Sequence, residues 1–542
     1  MTDTVLIAGA GPTGLALAVH LALNDIPVHV VDAADGPATT SRALGLQPRG
    51  VEVLERLGAL GDLLARSRSL LTLDYVEGGR TVLRLRAGQT VLAKPALLVS
   101  QAEVEGALRA RFAALGGVIH WGTRLVDART ADDRVVARLR SDGGERTVEA
   151  GWLVGCDGAH SAVRKTAGIG FPGRQLFERM LMVDVRARWP YDRDGSTTWM
   201  DVGHVLSVTS LPDDVWRVFS EAPPDLPEAL SEEEVVDRVL GEFSRRSGLA
   251  ADTVSEVRWA TEFRVHRRLA ETYRRGRVLL AGDAAHIQSP SGGQGQNTGL
   301  GDAENLGWKL VLVSAGRADQ RLLDTYEAER RPLAAKVLAA TSTAVDVMLP
   351  DTRWKRVVRD RLVVPALRLG FVQRRLWLAA SQLGIDYRGG PLAPGTPWWT
   401  TGPRPGDRVP DVACRRYDGV EVTLHAATAG SWVVLARDPA AHAAAAAVHL
   451  GQVTALTPVR PTRREVFLIR PDGHLAWRGR AAPEKLSAWL TQVLWPERSA
   501  VAVPATPATT TRSWTRRSTS SSNAAPRARA SRPSPGARES RN

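Results

Sequence analysis

Three glycines and one acidic residue near the start of the chain have the types and spacing needed to hold a dinucleotide. Gly9, Gly11 and Gly14 form the run GAGPTG, and Asp32 stands 18 residues after the last of them. Glycine lets backbone N–H groups approach a pyrophosphate closely, and a carboxylate can accept hydrogen bonds from a ribose diol. The spacing therefore predicts binding of a dinucleotide, and it does not distinguish NAD from FAD.

The segments around these residues are those that would position them. Residues 4–8 (TVLIA) are typical of a buried strand, residues 15–23 (LALAVHLAL) of a helix, and residues 26–32 (IPVHVVD) of a second strand. The N-terminus of such a helix supplies free N–H groups and the positive end of its dipole to a phosphate. Gly9 then permits the tight turn, and Gly14 lets the helix pack closely against the sheet.

Two further acids follow strand-like runs later in the chain. Asp157 ends the run WLVGCD before SAVRKTAGI, and Asp283 ends the run RVLLAGD before a loop rich in glycine and proline. That loop leads into a helix near Gln296 and Asn297, and the helix N-terminus again offers backbone donors. Two such sites favour FAD over NAD, because the second half of FAD is a large ring system that needs its own binding surface. For Asp157 the alternative is a simple helix N-cap.

The composition excludes several other classes of protein. An apolar content of 44% and a charged content of 24% are ordinary for a soluble globular chain. The apolar runs are too short to span a membrane. Much of the net charge of +13 lies in residues 501–542, which hold eight arginines against one glutamate, and this argues against a nucleic-acid-binding surface on the folded body. Cys156 and Cys414 suggest no disulfide framework and no signal peptide is visible, so we expect a cytoplasmic protein.

The order of predicted elements indicates an α/β protein of several domains. A mainly antiparallel sheet is predicted to be inserted between two parts of a Rossmann-like FAD-binding domain, and a small α/β domain follows a linker rich in proline and glycine. The predicted ranges are 1–179 and 266–390 for the FAD-binding domain, 180–265 for the substrate-binding sheet, 391–499 for the C-terminal domain and 500–542 for a disordered basic tail.

Two features of this order bear on ligand binding. Arg42 follows the second strand on a loop and is placed to face a pyrophosphate, although a solvated arginine is the better interpretation from position alone. Large apolar side chains in the inserted sheet are placed to wall an apolar pocket, although ordinary sheet core is the preferred interpretation of each one. These residues are Trp199, Met200, Trp216, Phe219 and Phe263.

Three blocks, GAGPTG with Asp32, GCDGAHSAVR and LLAGDAAHIQSPSGGQGQNTGLGDAENLGWKL, together resemble the class A flavoprotein monooxygenases of the para-hydroxybenzoate hydroxylase type. Within that family, the chain is similar to the aromatic-polyketide hydroxylases and rifampicin monooxygenases of actinomycetes. Asp32 stands where the family more often has Glu. The resemblance covers roughly residues 1–390, and residues 405–495 resemble the thioredoxin-like C-terminal domain of the same subgroup. No CxxC motif is present there, so thiol–disulfide activity is not expected.

The resemblance implies a set of FAD-binding residues. Arg42 would meet the pyrophosphate, Gln101 the ribityl and phosphate region, and the backbone at Leu125 the adenine. Asp157 would contact both FAD and the reduced nicotinamide, and Asp283 would bind the ribityl chain. The implied cofactor-binding residues are Gly9, Gly11, Thr13, Gly14, Asp32, Arg42, Gln101, Leu125, Asp157, Asp283, Pro290, Gly293, Gly295, Gln296 and Asn297.

The resemblance also implies a reaction. In this family NADPH or NADH reduces FAD, and the reduced flavin forms with O2 a C4a-hydroperoxide that transfers one oxygen atom to the substrate. The implied substrate is a bulky polycyclic aromatic or polyketide-type molecule. We further expect a monomer or homodimer that needs no metal, membrane or nucleic acid. No catalytic side chain is identified, and His286 is interpreted as part of the loop architecture.

Several alternatives to hydroxylation stay open. Baeyer–Villiger and epoxidising members of the family share every motif named above. A flavin halogenase is disfavoured because its WxWxIP signature is absent from this chain. A protein that holds FAD without catalysis is the remaining alternative.

Overall fold

The computed structural model describes most of the chain up to residue 495. The described residues are 3–39, 43–87, 94–201, 204–222, 226, 230–288, 293–348, 352–393, 401–428, 430–460, 465–480 and 482–495. The chain divides into two units, Met1–Glu497 and Arg498–Asn542. The second unit contains the whole of the predicted disordered tail and lies outside the described residues, so every element named below belongs to the first unit.

A six-stranded sheet forms the centre of this unit. Its strands, in spatial order, are Arg274–Arg275, Val278–Leu280, Trp152–Gly155, Val5–Ala8, Val28–Val31 and Ile119–His120. All neighbouring strands pair in parallel except the first pair, which is antiparallel. Strands of a parallel sheet are covered on both faces and read as continuous apolar runs, which explains the sequences VLIA and WLVG.

Helices and a small sheet cover the central sheet. Helix Pro12–Ala22 packs against helices Gln101–Ala114 and Gln294–Ser314, and all three contribute to one hydrophobic core. A three-stranded antiparallel sheet contributes Leu125 and Leu139 to the same core. Its strands are Arg124–Ala131, Arg134–Ser141 and Gly144–Ala150. Other elements of this region are the helices Pro48–Arg56, Ala162–Thr166 and Asp324–Met348 and the short strands Gly45–Leu46, Arg68–Ser69 and Leu97–Leu98.

An eight-stranded sheet lies beside the central region. Its strands, in spatial order, are His286–Ile287, Val254–Leu269, Gly173–Ala187, Val215–Glu221, His204–Ser210, Gly195–Asp201, Thr72–Glu77 and Arg80–Arg86. One face packs against helix Glu232–Ser247, which begins with a capping box at Ser231 and ends at Gly248. The sheet thus includes strands from outside residues 180–265, because Thr72–Glu77 pairs in parallel with Gly195–Asp201.

The C-terminal residues form a second α/β arrangement. Its sheet contains, in spatial order, the strands Glu421–Thr423, Ala413–Arg415, Val453–Pro458, Trp432–Leu435, Val466–Ile469 and Leu475–Gly479. Helices Ala440–Leu450 and Pro483–Leu494 pack on one face, and helix Leu424–Thr428 packs on the other. Helices Arg353–Val358, Val364–Leu367 and Gly370–Ala380 precede this region, with a π-helical turn at Arg359–Val363.

The predicted α/β class is confirmed, with a parallel dinucleotide-type sheet, an antiparallel sheet and a C-terminal α/β arrangement typical of thioredoxin-like domains. Cys156 and Cys414 are both free thiols. None of the helices in the described ranges combines the length and apolar character that crossing a membrane requires.

Candidate functional site

The glycine turn after the first strand is shaped by close contacts at two of its glycines and by open space at the third. Gly9 has φ +106°, and a Cβ there would lie 2.3 Å from the carbonyl oxygen of Cys156. A Cβ on Gly14 would lie 2.0 Å from the carbonyl oxygen of Gly9. A Cβ on Gly11 would meet no atom of the described residues within 4 Å.

The open space at Gly11 coincides with the start of a helix. Gly11 is the N-cap of helix Pro12–Ala22, and none of the described side chains caps its first turn. The first N–H groups of a helix have no intrahelical acceptor, so those of this turn face a space that fits a phosphate.

Asp32 lies directly after its strand, as predicted, and holds the glycine turn. Its Oδ2 accepts a hydrogen bond of 2.6 Å from the N–H of Ala10, and its Oδ1 accepts one of 2.8 Å from Ala34. The N–H of Thr123 donates to the carbonyl oxygen of Asp32 over 2.7 Å. This contact brings the segment that precedes Leu125 beside Asp32, although the Leu125 side chain itself is buried in the core. A carboxylate has more lone pairs than these contacts use, so Asp32 can still accept from a ribose.

The side chain of Thr13 joins the glycine turn to the second predicted site. Its Oγ1 lies 2.6 Å from the position of a Cβ on Gly282 and 2.2 Å from that of a Cβ on Gly299. Both positions must therefore be glycine for the helix Gln294–Ser314 to approach the turn this closely. The two strand–turn–helix sites are thus in direct contact, as binding of one long dinucleotide would require.

Asp283 lies in a short 3₁₀ turn, Gly282–Ala284, after the strand Val278–Leu280. Its side chain is exposed to solvent. Desolvation by the surrounding protein nevertheless raises the pKa of its carboxyl group. Asp302 adds to this shift and His286 opposes it. An exposed carboxyl on this turn can accept hydrogen bonds from a polyhydroxylated chain.

A buried polar cluster holds this turn in place. Asp302 Oδ2 accepts from the N–H of Gly282 over 3.1 Å and lies 2.6 Å from His286 Nε2. Its Oδ1 accepts from Arg330 Nε over 2.7 Å, and Arg330 Nη1 donates to the hydroxyl oxygen of Tyr387. Burial alone would raise the pKa of Asp302, but Arg330 and His286 hold it below its ordinary value. His286 is thus buried in the support of the turn.

The helix that follows the glycine-rich loop begins earlier than the sequence indicates. Gly293 is its N-cap in a left-handed conformation with φ +61°, and no side chain of the described residues caps the first turn. The N–H groups from Gln294 to Gln296 point out of the helix, because intrahelical bonding begins only with the fourth residue, Asn297.

The Asn297 side chain has a tethering role. Its Oδ1 accepts from the N–H of Gln47 over 2.9 Å, and its Nδ2 donates to the carbonyl oxygens of Gly45 and Gly293. These bonds attach the start of the helix to the segment before helix Pro48–Arg56.

The two carboxylate oxygens of Asp157 have different surroundings: one binds the start of a helix, and the other has no partner among the described residues. Its Oδ2 accepts from the N–H groups of Ala162 and Val163 over 2.7 and 3.1 Å, so it binds the first turn of the helix although the N-cap residue itself is Ser161. Its Oδ1 is buried and has no hydrogen-bond partner among the described residues. A buried carboxylate oxygen without a partner is costly in the ligand-free protein, and a ligand hydroxyl would remove that cost.

Three other predicted residues complete the comparison with the sequence. Gln101 is the first residue of helix Gln101–Ala114, and its Nε2 donates to Glu105 Oε1 over 2.7 Å. Arg42 and Pro290 lie outside the described residues.

Two features of the site region were not predicted from the sequence. Both side-chain amide atoms of Gln288 are buried without a partner in the described part of the chain, and Nε2 lies 4.0 Å from the position of a Cβ on Gly295. The second feature is an ionic network on helix Gln294–Ser314. Glu304 pairs with Arg56 over 2.7 Å, and Lys309 pairs with Glu329 over 2.9 Å.

This network extends to the C-terminal region. Glu329 accepts two bonds of 2.8 and 2.9 Å from Arg470, which lies after strand Val466–Ile469. Burial opposes the charge of Glu329, but Arg470 and Lys309 lower its pKa to about 2. The only hint in the sequence is the charged residues within the otherwise apolar run NLGWKL and its neighbours.

Comparisons with known proteins agree with this arrangement. A family described as an FAD binding domain matches residues 2–341, and the aromatic-ring hydroxylase C-terminal family matches residues 402–495. The 6-methylpretetramide 4-monooxygenase of Streptomyces rimosus is 35% identical to this chain over 540 residues, which cover 92% of this chain and 94% of that protein.

Two solved structures are similar over almost the same length. The anhydrotetracycline hydroxylase of Streptomyces rimosus is 33% identical with a TM-score of 0.75, and the match covers 91% of this chain and 98% of that one. An aklavinone-11 hydroxylase in a complex with FAD and aklavinone is 29% identical with a TM-score of 0.73, covering 91% and 99%.

Proposed function

The chain belongs to the family of FAD-dependent aromatic-ring monooxygenases, and we propose that it uses NADPH or NADH and O2 to hydroxylate a bulky polycyclic aromatic substrate. The observation that carries this proposal is the contact of Thr13 with Gly282 and Gly299, which joins a phosphate-type helix terminus to the Asp283 turn. A dinucleotide as long as FAD can then bind across both sites.

Several features of the ligand-free site fit FAD. The space beside Gly11 accepts a pyrophosphate at an uncapped helix N-terminus, and the unpaired Oδ1 of Asp157 can accept a hydrogen bond from the cofactor. Asp32 and Asp283 are placed to bind hydroxyl groups of the two halves. The residues we propose to hold FAD are Gly9, Gly11, Thr13, Gly14, Asp32, Arg42, Gln101, Leu125, Asp157, Asp283, Pro290, Gly293, Gly295, Gln296 and Asn297.

Bound FAD would supply hydride acceptance from the nicotinamide and activation of O2. The protein's own contribution is to orient and to stabilise charge. The first turn of helix Gln294–Ser314 favours negative charge in front of it, because its N–H groups and dipole point that way. The Asp302 cluster holds the backbone turn that carries Asp283.

The substrate class follows from the relatives, whose names refer to 6-methylpretetramide, anhydrotetracycline and aklavinone. We further propose a cytoplasmic monomer or homodimer that works without nucleic acid or membrane, and the domain ranges 1–179, 180–265, 266–390 and 391–499. Strands outside 180–265 join the substrate-binding sheet in this proposal.

The test is a visible spectrum of the purified protein followed by NADPH and NADH oxidation, O2 uptake and product mass with anhydrotetracycline and aklavinone as probes. We expect bound flavin, oxidation accelerated by at least one probe, and a product heavier by one oxygen atom. Product structure then separates hydroxylation from Baeyer–Villiger oxidation and epoxidation. Protein that cannot be loaded with FAD, or that consumes no O2 with NADPH or NADH, would refute the proposal.

A further inference from the structure

The two faces of the eight-stranded sheet have different partners. Side chains alternate between the faces along each strand, and directly paired residues lie on the same face. Val183 pairs with Val218 and Val185 with Trp216, and these residues form a core with helix Glu232–Ser247. The opposite face therefore carries the intervening residues of the same strands.

That opposite face carries large apolar side chains, two of which are only half-buried. Met182 pairs with Phe219, and Met180 pairs with both Glu221 and Phe263. Phe219 and Phe263 are partly accessible to solvent although they are large and apolar. Trp199 and Trp216, by contrast, belong to the core on the helix side. The predicted apolar wall is thus divided, and Phe219 and Phe263 are its aromatic residues on the face opposite the helix.

Besides the ion pair of Arg217 with Asp184, this face carries the charged residue Glu221. It is the last residue of its strand and lies at the end nearer to Gly173 and Leu269, where the two longest strands of the sheet connect to the central sheet. Its Oε2 is buried and has no hydrogen-bond partner within the described ranges. A buried carboxylate oxygen without a partner is stabilised by a ligand that donates a hydrogen bond to it.

We propose that Glu221 contacts the bound aromatic substrate and accepts a hydrogen bond from one of its hydroxyl groups. This inference rests on the proposed function and names the residue that selects hydroxylated rings. An aromatic ether of the same size would bind less well, because it leaves the carboxyl group buried and unpaired.

The electrostatic surroundings support an acceptor role. Burial raises the pKa of Glu221, and His204 on the neighbouring strand opposes that shift. Other charged side chains of the described residues on these strands are Arg179 and Glu262, which pair with each other, and Arg217 and Asp184, which form a second pair. The ionised form binds the hydroxyl group more strongly, so selectivity should fall as the pH is lowered through the raised pKa of Glu221.

The experiment compares 1-naphthol with 1-methoxynaphthalene, and their dissociation constants are measured by naphthalene fluorescence in the full-length protein. We expect the wild type to bind 1-naphthol about tenfold or more tightly than the ether. Glu221→Leu should bring the ratio near one. Glu221→Gln, which keeps the size of the side chain, should lower the ratio and remove its dependence on pH. Glu256→Gln, an exposed glutamate on the same sheet, should keep the wild-type ratio.

The outcomes separate this inference from the function on which it rests. Equal affinities in the wild type, no binding of 1-naphthol, or unchanged selectivity in Glu221→Leu and Glu221→Gln would each overturn the role of Glu221. Loss of selectivity in Glu256→Gln would overturn it as well. Flavin content and NADPH oxidation are measured on the same samples, so a failure of FAD binding is recognised independently of the naphthol result.

Discussion

Alanine substitutions at Gly11 and at Gly14 should have different effects: the first should weaken FAD binding, and the second should destabilise the fold. At Gly14 the new Cβ would lie 2.0 Å from the carbonyl oxygen of Gly9, whereas real Cβ contacts essentially never fall below 3.0 Å. The helix or the turn must then move by at least about 1 Å. At Gly11 the Cβ meets no atom of the described residues within 4 Å, and φ −73° with ψ −178° is an ordinary conformation for alanine.

The expected magnitudes differ for the same reason. Overpacking of this kind costs about 1–3 kcal/mol, so Gly14→Ala should lower the Tm of the FAD-free protein by about 1–3 °C. In Gly11→Ala, a weaker N-cap and a less flexible unfolded chain offset each other, and the Tm should change little. The methyl group would occupy the space proposed for the pyrophosphate, so FAD affinity should fall about tenfold or more, or by at least about 1.4 kcal/mol.

The assay is thermal unfolding of both FAD-free variants together with FAD titration by flavin fluorescence. Wild-type FAD affinity in Gly11→Ala would refute the reasoning, because the open space beside this glycine would then not hold the phosphates. An unchanged Tm in Gly14→Ala would show that the turn relaxes without cost and that the close contact has no energetic weight.

Three further predictions concern the acids and one histidine. Asp283→Ala should fold normally but retain less FAD after purification, and undiminished flavin content would contradict its assignment to the ribityl chain. Glu329→Gln removes the negative charge that pairs with Arg470 and Lys309. The free energy of unfolding, measured in urea, should therefore fall by about 3–5 kcal/mol. Stability at wild-type level would show that the network adds nothing. Burial and Arg56 lower the pKa of His425 to about 2. Below pH 6.5 the unfolded chain therefore binds a proton at this histidine that the folded protein does not bind. The free energy of unfolding should then fall by about 1.4 kcal/mol for each pH unit below 6.5. The check is the dependence of Tm on pH in acid, and an identical dependence in His425→Gln would exclude this histidine as the cause.

Local patterns explain why much of the dinucleotide site could be predicted. The strand Val5–Ala8, the turn at Gly9 and the helix Pro12–Ala22 depend on residues adjacent in sequence, through apolar runs and the conformational freedom of glycine. The positions of Asp32 and Asp283 after their strands follow from the same local signals. The roles of these residues toward FAD are proposals for the experiments above.

The predicted aromatic wall shows where local reasoning was incomplete. Trp199 and Met200 are adjacent in a strand, so their side chains point to opposite faces of the sheet and cannot line the same pocket. Alternation separates Trp216 from Phe219 in the same way, but it does not say which face a helix covers. Helix Glu232–Ser247 decides that by packing on the side of the tryptophans.

By itself, the sequence determined the α/β class, the dinucleotide turn and the acids at the strand ends, because these depend on short-range periodicity and turn chemistry. Only the tertiary structure decided that Thr13 fits between Gly282 and Gly299, and that Asp302 supports the Asp283 turn. It also placed Glu221 on the face of the sheet opposite helix Glu232–Ser247. These contacts join residues far apart in the chain, and they are set by strand pairing, by helix packing and by the need to pair buried charges, none of which a local pattern contains.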